Sequence, residues 1–393
     1  MTLTVLVNAG PWLPVPPPGY GGIETVIATL VPELRRLGVR VVLATVGTSS
    51  LAADGYVRTL PDGQLPRVAA PYNQSSGLPH AHMAAVVRAL RADRPGDGPV
   101  DPPIDIVHDH LEVVGPAVLA AMGTQAPPVL QTLHWDLRKH PEFYGSFDGG
   151  GRVFFAGVSE DQVARAPAAL RAQVLGAVPL AVPAPVPPQP VTLPTGQDGG
   201  YALVLARITR DKGQDVAARV CRTAGHRLVL AGPVAGIDDP AELAARLADP
   251  GDPVQSHPDA AYWREEVAPL VDGALVRWVG GVGGVEKERL LQGARVLLAP
   301  NRWAEPGATG VVEALGRGVP VVATPLGVLP SLLTDGVTGL LAADEAGLVA
   351  ALARVGQLDP DACRASVADW TPAAMARRYV ELYREVLARA ATG

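Results

Sequence analysis

The 393-residue sequence predicts an α/β protein of two doubly wound, Rossmann-like domains facing each other across a cleft. Three observations carry this. Apolar runs of four to eight residues recur along both halves of the chain, helical patterns separate them, and a proline-rich stretch interrupts the alternation once before it restarts. Continuous short apolar runs are what strands need when both faces of a parallel sheet are covered. At about 150 residues per domain, two domains are the simplest count.

In the first half the runs are 3–7, 39–46, 104–107, 129–133 and 153–158. Between the first two, Val26, Ile27, Leu30, Val31, Leu34 and Leu37 recur at helical spacing and Gly38 supplies a stop. The stretch 174–198 carries Pro179, Pro183, Pro185, Pro187, Pro188, Pro190 and Pro194, so it cannot form a continuous helix and reads as an extended connection. This places a first domain at 1–185, a linker at 186–199 and a second domain at 200–370, whose runs are 201–206, 227–231, 274–279, 295–299 and 319–323. A last helix, 371–393, carries Met375, Tyr379, Leu382, Tyr383 and Val386 on one stripe and is expected to dock back toward the first domain. Ligands of such sheets bind beyond the carboxyl ends of the strands. The site should therefore draw on both halves.

Composition narrows the function. With 33 Lys and Arg against 39 Asp and Glu, the net charge of −6 gives no attraction for a nucleic acid. Two cysteines, Cys221 and Cys363, make no disulfide framework, and the amino end lacks the cationic region of a secretory signal. A reducing cytoplasm and no transmembrane segment are expected. The Gly-x-Gly-x-x-Gly and Gly-x4-Gly-Lys-Ser/Thr patterns are both absent, which removes sequence support for a dinucleotide oxidoreductase or a P-loop NTPase. Lysine occurs only at Lys139, Lys212 and Lys287, against 30 arginines, so a lysine beside a glycine turn is informative.

The segment from Glu305 to Glu313, Glu-Pro-Gly-Ala-Thr-Gly-Val-Val-Glu, follows the run 295–299 and starts a helix. Free amides at Ala308, Thr309 and Gly310 suit anionic oxygens, while the flanking carboxylates can accept from sugar hydroxyls. The plainer alternative is a capping Glu305 and a solvated Glu313. Arg207 at the end of the run 201–206 and Lys212 before Gly213 can converge on one diphosphate, or else be surface charges. Near the amino end, Tyr20, Gly21 and Gly22 lead into the first helix and offer a second anion site. His108 and His110 share a strand face, but no third ligand at metal spacing is evident. His134 follows another strand and could point into the cleft or be a hydrogen-bonded edge residue. Asp359-Pro360-Asp361 is the single Asp-x-Asp, and turn chemistry accounts for it, so no metal is expected.

Taken together, Gly21-Gly22-Ile23-Glu24, Val107 to His110, Thr132 to His134, Val158-Ser159, Arg207 with Lys212-Gly213, Glu305 to Glu313 and Asp335 to Leu340 resemble the retaining glycosyltransferases of family 4, which have the GT-B fold. The resemblance implies hexosyl transfer from a nucleotide-diphosphate sugar, with UDP the commonest carrier, to a hydroxyl acceptor, without a cofactor or metal. It implies Arg207 and Lys212 on the diphosphate, Glu313 on the ribose hydroxyls, and Glu305 with the amides of Ala308, Thr309 and Gly310 on the sugar. Gly21 and Gly22 would approach the phosphate and His134 the sugar, with Tyr20 and His110 on the acceptor side. The chain departs from the family at Gly307-Ala308, where Phe-Gly is usual, and at Gly327 to Ser331, where Gly-Gly-x-x-Glu is usual. An epimerase or phosphorylase on the same fold, or a nucleotide-sugar sensor without transfer, are the alternatives.

Overall fold

A computed structural model describes residues 2–68, 72–91, 103–181 and 200–392. The linker expected at 186–199 lies outside the described residues. The chain forms two compact units: Met1–Pro17, Gly21–Pro183 and Trp370–Gly393 make the first, and Pro18–Tyr20 with Ala184–Asp369 the second.

The first unit holds a seven-stranded sheet built from β1 (Thr4–Asn8), β2 (Arg40–Thr45), β3 (Gly55–Arg58), β4 (Ile106–Asp109), β5 (Val129–Leu133), β6 (Val153–Gly157) and β7 (Val174–Ala177). All neighbours are parallel, in the order β3-β2-β1-β4-β5-β6-β7. β1, β4, β5 and β6 are buried at every position, which is why their sequences are mostly apolar, with the buried polar residues Asn8, His108, Asp109 and Gln131 among them. Helix Gly22–Arg36 turns Val26, Ile27, Leu30, Val31 and Leu34 onto the sheet, while Leu37 lies past its end and is exposed.

The carboxyl-terminal helix Pro372–Thr392 packs on this same face, beside helix Gly22–Arg36. Its Met375, Tyr379, Leu382, Tyr383 and Val386 are all buried. At ~1.5–3 kcal/mol per large buried side chain, that stripe is a principal source of its attachment. Two hydrogen bonds fix its register: Tyr383 Oη lies 2.7 Å from His108 Nδ1, and Tyr379 Oη lies 3.0 Å from Thr132 Oγ1.

The second unit holds β8 (Tyr201–Leu205), β9 (Leu228–Ala231), β10 (Val276–Trp278), β11 (Ala294–Ala299), β12 (Val321–Ala323) and β13 (Gly339–Leu341), again all parallel, in the order β10-β9-β8-β11-β12-β13. Two doubly wound parallel sheets are thus present, as the alternation of runs predicts. The three strands that the runs do not predict, β3, β7 and β13, are all sheet edges. In each unit the strand order reverses next to the first strand, between β1 and β4 and between β8 and β11. Such a reversal opens a crevice at the strands' carboxyl ends. Both cysteines are buried and free, and among the described residues no helix is long and apolar enough to cross a membrane.

Candidate functional site

In the second unit the crevice between β8 and β11 is a pocket of about 80 Å³. The strand ends Val204 to Ala206 and Leu297 to Ala299 form its floor. Lys212, Asn301, Glu305, Ala308, Thr309, Gly310 and Val311 complete it, together with Tyr20. The structure thus gathers most of the motif residues from two separate loops at one strand reversal. Tyr20, expected among acceptor contacts of the first domain, lines this pocket of the second unit.

Close packing sets Lys212 in place. Gly213 adopts φ +70, and a Cβ there would lie 2.3 Å from the carbonyl oxygen of Pro300, so the turn after β8 sits directly on the chain leaving β11. Arg302 ties the same turn down: its backbone N–H donates to Asp211 O at 2.8 Å and its guanidinium grips both oxygens of Asp215 at 2.8 and 2.6 Å. Burial pushes the Asp215 carboxyl up, but hydrogen bonds from Arg302, Tyr262 and Arg219 outweigh it and hold it at about 2.

Lys212 Nζ forms an ion pair with Glu305 Oε2. The same oxygen accepts from Asn301 Nδ2 and from Trp303 Nε1, both at 3.0 Å, and the Lys212 ammonium stands 5.2 Å from the Trp303 ring centre. All these donors meet on one oxygen of a buried carboxylate. Oε1 has no hydrogen-bond partner among the described residues.

Helix Thr309–Gly316 starts at the pocket, where the Thr309 and Gly310 amides have no intrahelical partner. Its cap, Ala308, is buried in the left-handed conformation with φ 49 and ψ 48. The chain therefore keeps the backbone that glycine serves at this position while carrying a Cβ, at a cost of ~1 kcal/mol. Ala308→Gly is expected to raise the stability of the second unit by about 1 kcal/mol, seen as a rise of about 2–4 °C in its melting temperature. A lowered melting temperature would contradict this.

At the far end of the same motif, Glu313 is buried and its Oε1 accepts from Lys287 Nζ at 2.8 Å. Sequence patterns did not point to Lys287; the rarity of lysine was the one signal that could have. Glu288, the next residue, pairs with Arg317 through three contacts of 2.7 to 3.3 Å, so two opposite pairs join helix Gly284–Gly293 to helix Thr309–Gly316. Arg207 is half-buried, and its carbonyl accepts from Gln214 Nε2 at 2.7 Å. Its side chain is not among those lining the pocket. Asp359 caps helix Pro360–Ser366 and Asp361 pairs with Arg364, so Asp-Pro-Asp has structural work there. Among the described residues no three His, Cys, Asp or Glu side chains stand where they could share a metal ion.

In the first unit, Gly21 precedes helix Gly22–Arg36 and a Cβ on it would strike Pro17 and Leu13, whereas Gly22 meets nothing within 4 Å. His110, offered above as an acceptor contact, is buried with Nδ1 2.8 Å from His134 Nε2. Its position makes it a support for His134, which is only half-buried. Burial takes His108 and His134 down to about 3 and His110 well below its ordinary range, so all three are neutral. Where β1 and β4 part, Asp109 Oδ1 accepts from Asn8 Nδ2 at 2.7 Å and from the Leu111 amide at 3.1 Å. Its Oδ2 is buried without a partner. Burial raises this carboxyl to about 7.

A group whose folded value lies above its unfolded one contributes most below pH ~4, and that contribution is lost as pH climbs toward and past 7. Asparagine mimics the protonated acid. Asp109→Asn is therefore expected to gain about 1–2 kcal/mol on the wild type between pH 6 and pH 8, read as the difference in urea midpoints. A pH-independent difference would refute the assignment.

Residues 20–167 match the family model described as Glycosyltransferase Family 4, and residues 201–357 the model described as Glycosyl transferases group 1. The chain resembles AviGT4, a glycosyltransferase involved in avilamycin A biosynthesis, at 26% identity, covering 98% of both chains with a TM-score of 0.62. It also resembles sucrose-phosphate synthase from Thermosynechococcus elongatus at 18% identity, over 98% and 99% of the two chains, with a TM-score of 0.70. Anabaena Alr3699/HepE, solved with UDP and glucose, matches at 13% identity over 98% and 100%, with a TM-score of 0.62. No curated protein matches the chain. Two parallel units with a pocket at the strand reversal of the second are the mark of GT-B glycosyltransferases. This chain is one of them, of the family 4 type.

Proposed function

We propose that the enzyme moves a hexosyl group from a nucleoside-diphosphate sugar, with UDP as carrier, to a hydroxyl of a small-molecule or glycan acceptor, retaining the anomeric configuration and using no metal. The observation that carries this reading is Lys212, the one cation among the described residues that line the pocket, which it shares with the open helix start at Thr309 and Gly310. Breaking the anomeric C–O bond places charge on the leaving diphosphate. Fixed donors aimed where that charge grows lower the barrier most.

The ammonium of Lys212 has three N–H groups, and one suffices for Glu305. Glu305 keeps its Asn301 and Trp303 bonds when Lys212 turns toward a phosphate, and its free Oε1 accepts from a sugar hydroxyl. Arg207 adds charge beside the same strand end. The acceptor hydroxyl attacks from the leaving-group face and passes its proton to the departing phosphate oxygen, so no protein base is required. Neutral His134, held by His110, orients the sugar. The UDP and glucose bound by the neighbour HepE favour a nucleoside-diphosphate donor.

The test is calorimetry with UDP-, GDP-, ADP- and dTDP-sugars, then turnover of the binder with hydroxyl acceptors, with and without EDTA. Expected are binding of one carrier, unchanged rates in EDTA, and a product whose NMR coupling matches the donor's anomer. Inversion, epimerised donor or a phosphate-dependent sugar phosphate would each replace this reading.

A further inference from the structure

Resting on the nucleoside-diphosphate reading above, we infer that the Tyr20 side chain is a gate on the pocket of the second unit: in the ligand-free protein its ring takes space that the donor needs, and the donor enters when the ring swings out.

Volume poses the problem. The pocket holds about 80 Å³, although Lys212 and the start of helix Thr309–Gly316 already line it. Clefts that take small-molecule ligands and cofactors hold ~300–1,000 Å³. A nucleoside-diphosphate sugar therefore needs several times the room that the closed pocket offers.

The walls cannot supply the difference. A Cβ on Gly213 would lie 2.3 Å from Pro300 O, one on Gly310 2.9 Å from Leu205 O, and one on Gly327 2.2 Å from the amide nitrogen of Glu305. Backbone thus lies against backbone at three places around the pocket, and interiors packed this closely are hardly compressible. The room has to come from a side chain that can leave.

Tyr20 differs from the other described lining residues. All of those lie between Val204 and Val311, on β8, β11 and the segments that follow them, whereas Tyr20 comes from Pro18–Tyr20, the short piece of the amino-terminal sequence that belongs to the second unit. Its backbone is pinned. A Cβ on Gly19 would lie 2.8 Å from Asp238 Oδ2 and one on Gly21 2.7 Å from the Pro17 side chain, while Pro16, Pro17 and Pro18 each fix their own φ. Its side chain is not. Among the described residues the ring makes no hydrogen bond, ring pair or cation contact, and the residue is 36% exposed. Exposed side chains exchange rotamers in picoseconds to nanoseconds, so such a gate opens without moving the chain that carries it.

A gate weakens binding in a calculable way, because the measured dissociation constant is the intrinsic one divided by the open fraction. Bulk at position 20 sets that fraction, so affinity should fall as the side chain grows. A ring that formed part of the receptor would give the opposite order, since trimming it would remove contacts.

The experiment is calorimetry of the full chain with UDP, ADP and GDP, for wild type, Tyr20→Ala, Tyr20→Leu and Tyr20→Trp, with a melting temperature for each. For the preferred carrier Tyr20→Ala is expected to bind ~10-fold tighter than the wild type, as for a gate open about a tenth of the time, with Tyr20→Leu between them and Tyr20→Trp ~3-fold weaker than the wild type. With the sugar donor, Tyr20→Ala lowers KM by more than it changes kcat. Weaker binding by Tyr20→Ala than by the wild type makes Tyr20 a contact, and equal affinity in all four proteins makes it a bystander; either result overturns the inference and leaves the donor reading standing. Failure of UDP, ADP and GDP to bind both the wild type and Tyr20→Ala overturns the donor reading and this inference with it.

Discussion

Replacing Lys212 with alanine is expected to lower turnover at least ~100-fold, the scale on which enzymes lose rate when one preorganised donor is removed. The loss should fall mainly on kcat. In the ligand-free protein Lys212 is already paired with Glu305, so an incoming donor exchanges one anionic partner for another, and the larger gain comes as charge develops on the leaving diphosphate. Glu305 loses its cation in the variant but keeps hydrogen bonds from Asn301 and Trp303, so the loop should hold its shape. Lys212→Arg should recover only part of the rate, because a planar fork cannot reproduce a point charge seated 5.2 Å from the Trp303 ring centre. Steady-state kinetics with saturating donor, alongside circular dichroism to verify folding, decides the matter. Near-normal turnover in Lys212→Ala would remove Lys212 from the chemistry.

What the sequence discloses of this fold follows burial. Central strands such as β1 and β5 are covered on both faces and stand out as apolar runs. Edge strands need far less apolar surface: β3 alternates half-buried and exposed residues, with Tyr56 on the outside, and β7 is half-buried over most of its length. The site was legible for a related reason. Glycines and carboxylates at a strand end are read along the chain, and Lys212, Glu305, Thr309 and Gly310 do meet in one pocket. Partners brought by tertiary packing leave no such trace. Lys287 is 26 positions from Glu313 on another helix, and Arg302 reaches back 87 positions to Asp215. His110 misleads in the opposite direction: strand alternation puts it on the face of His108, but only the structure shows it buried, with Nδ1 on His134 and Nε2 without a hydrogen-bond partner among the described residues.

Arg317→Ala is expected to destabilise the second unit by ~3–5 kcal/mol, the cost of leaving one member of a buried ion pair without its partner. Against ~5–15 kcal/mol for a whole domain, that takes a large share of the margin. The contrast between two variants makes the argument testable. Burial alone would raise the Glu288 carboxyl, but hydrogen bonds from Arg317 and Gln292 outweigh it and hold it below its ordinary range. Its contribution in the wild type is therefore present above the unfolded value near pH 4 and lost as pH falls through the folded one. With Arg317 gone, burial dominates and the carboxyl moves up, so the gap between variant and wild type should be widest at pH 7 and shrink as Glu288 is protonated. Urea midpoints at pH 7 and pH 4 read this directly. Removing both charges, as Arg317→Met with Glu288→Leu, should restore most of the loss, because two apolar side chains of similar volume leave nothing unpaired. The double variant also separates scaffold from site. It leaves Lys287 and Glu313 in place on the same two helices, so it should bind the nucleotide nearly as the wild type does, whereas Arg317→Ala, which leaves the Glu288 carboxylate without its partner next to Lys287, should lose affinity along with stability. Equal stability of Arg317→Ala and wild type at pH 7 would mean that the two helices are held together by apolar packing, and that the charge pairs between them serve the ligand alone.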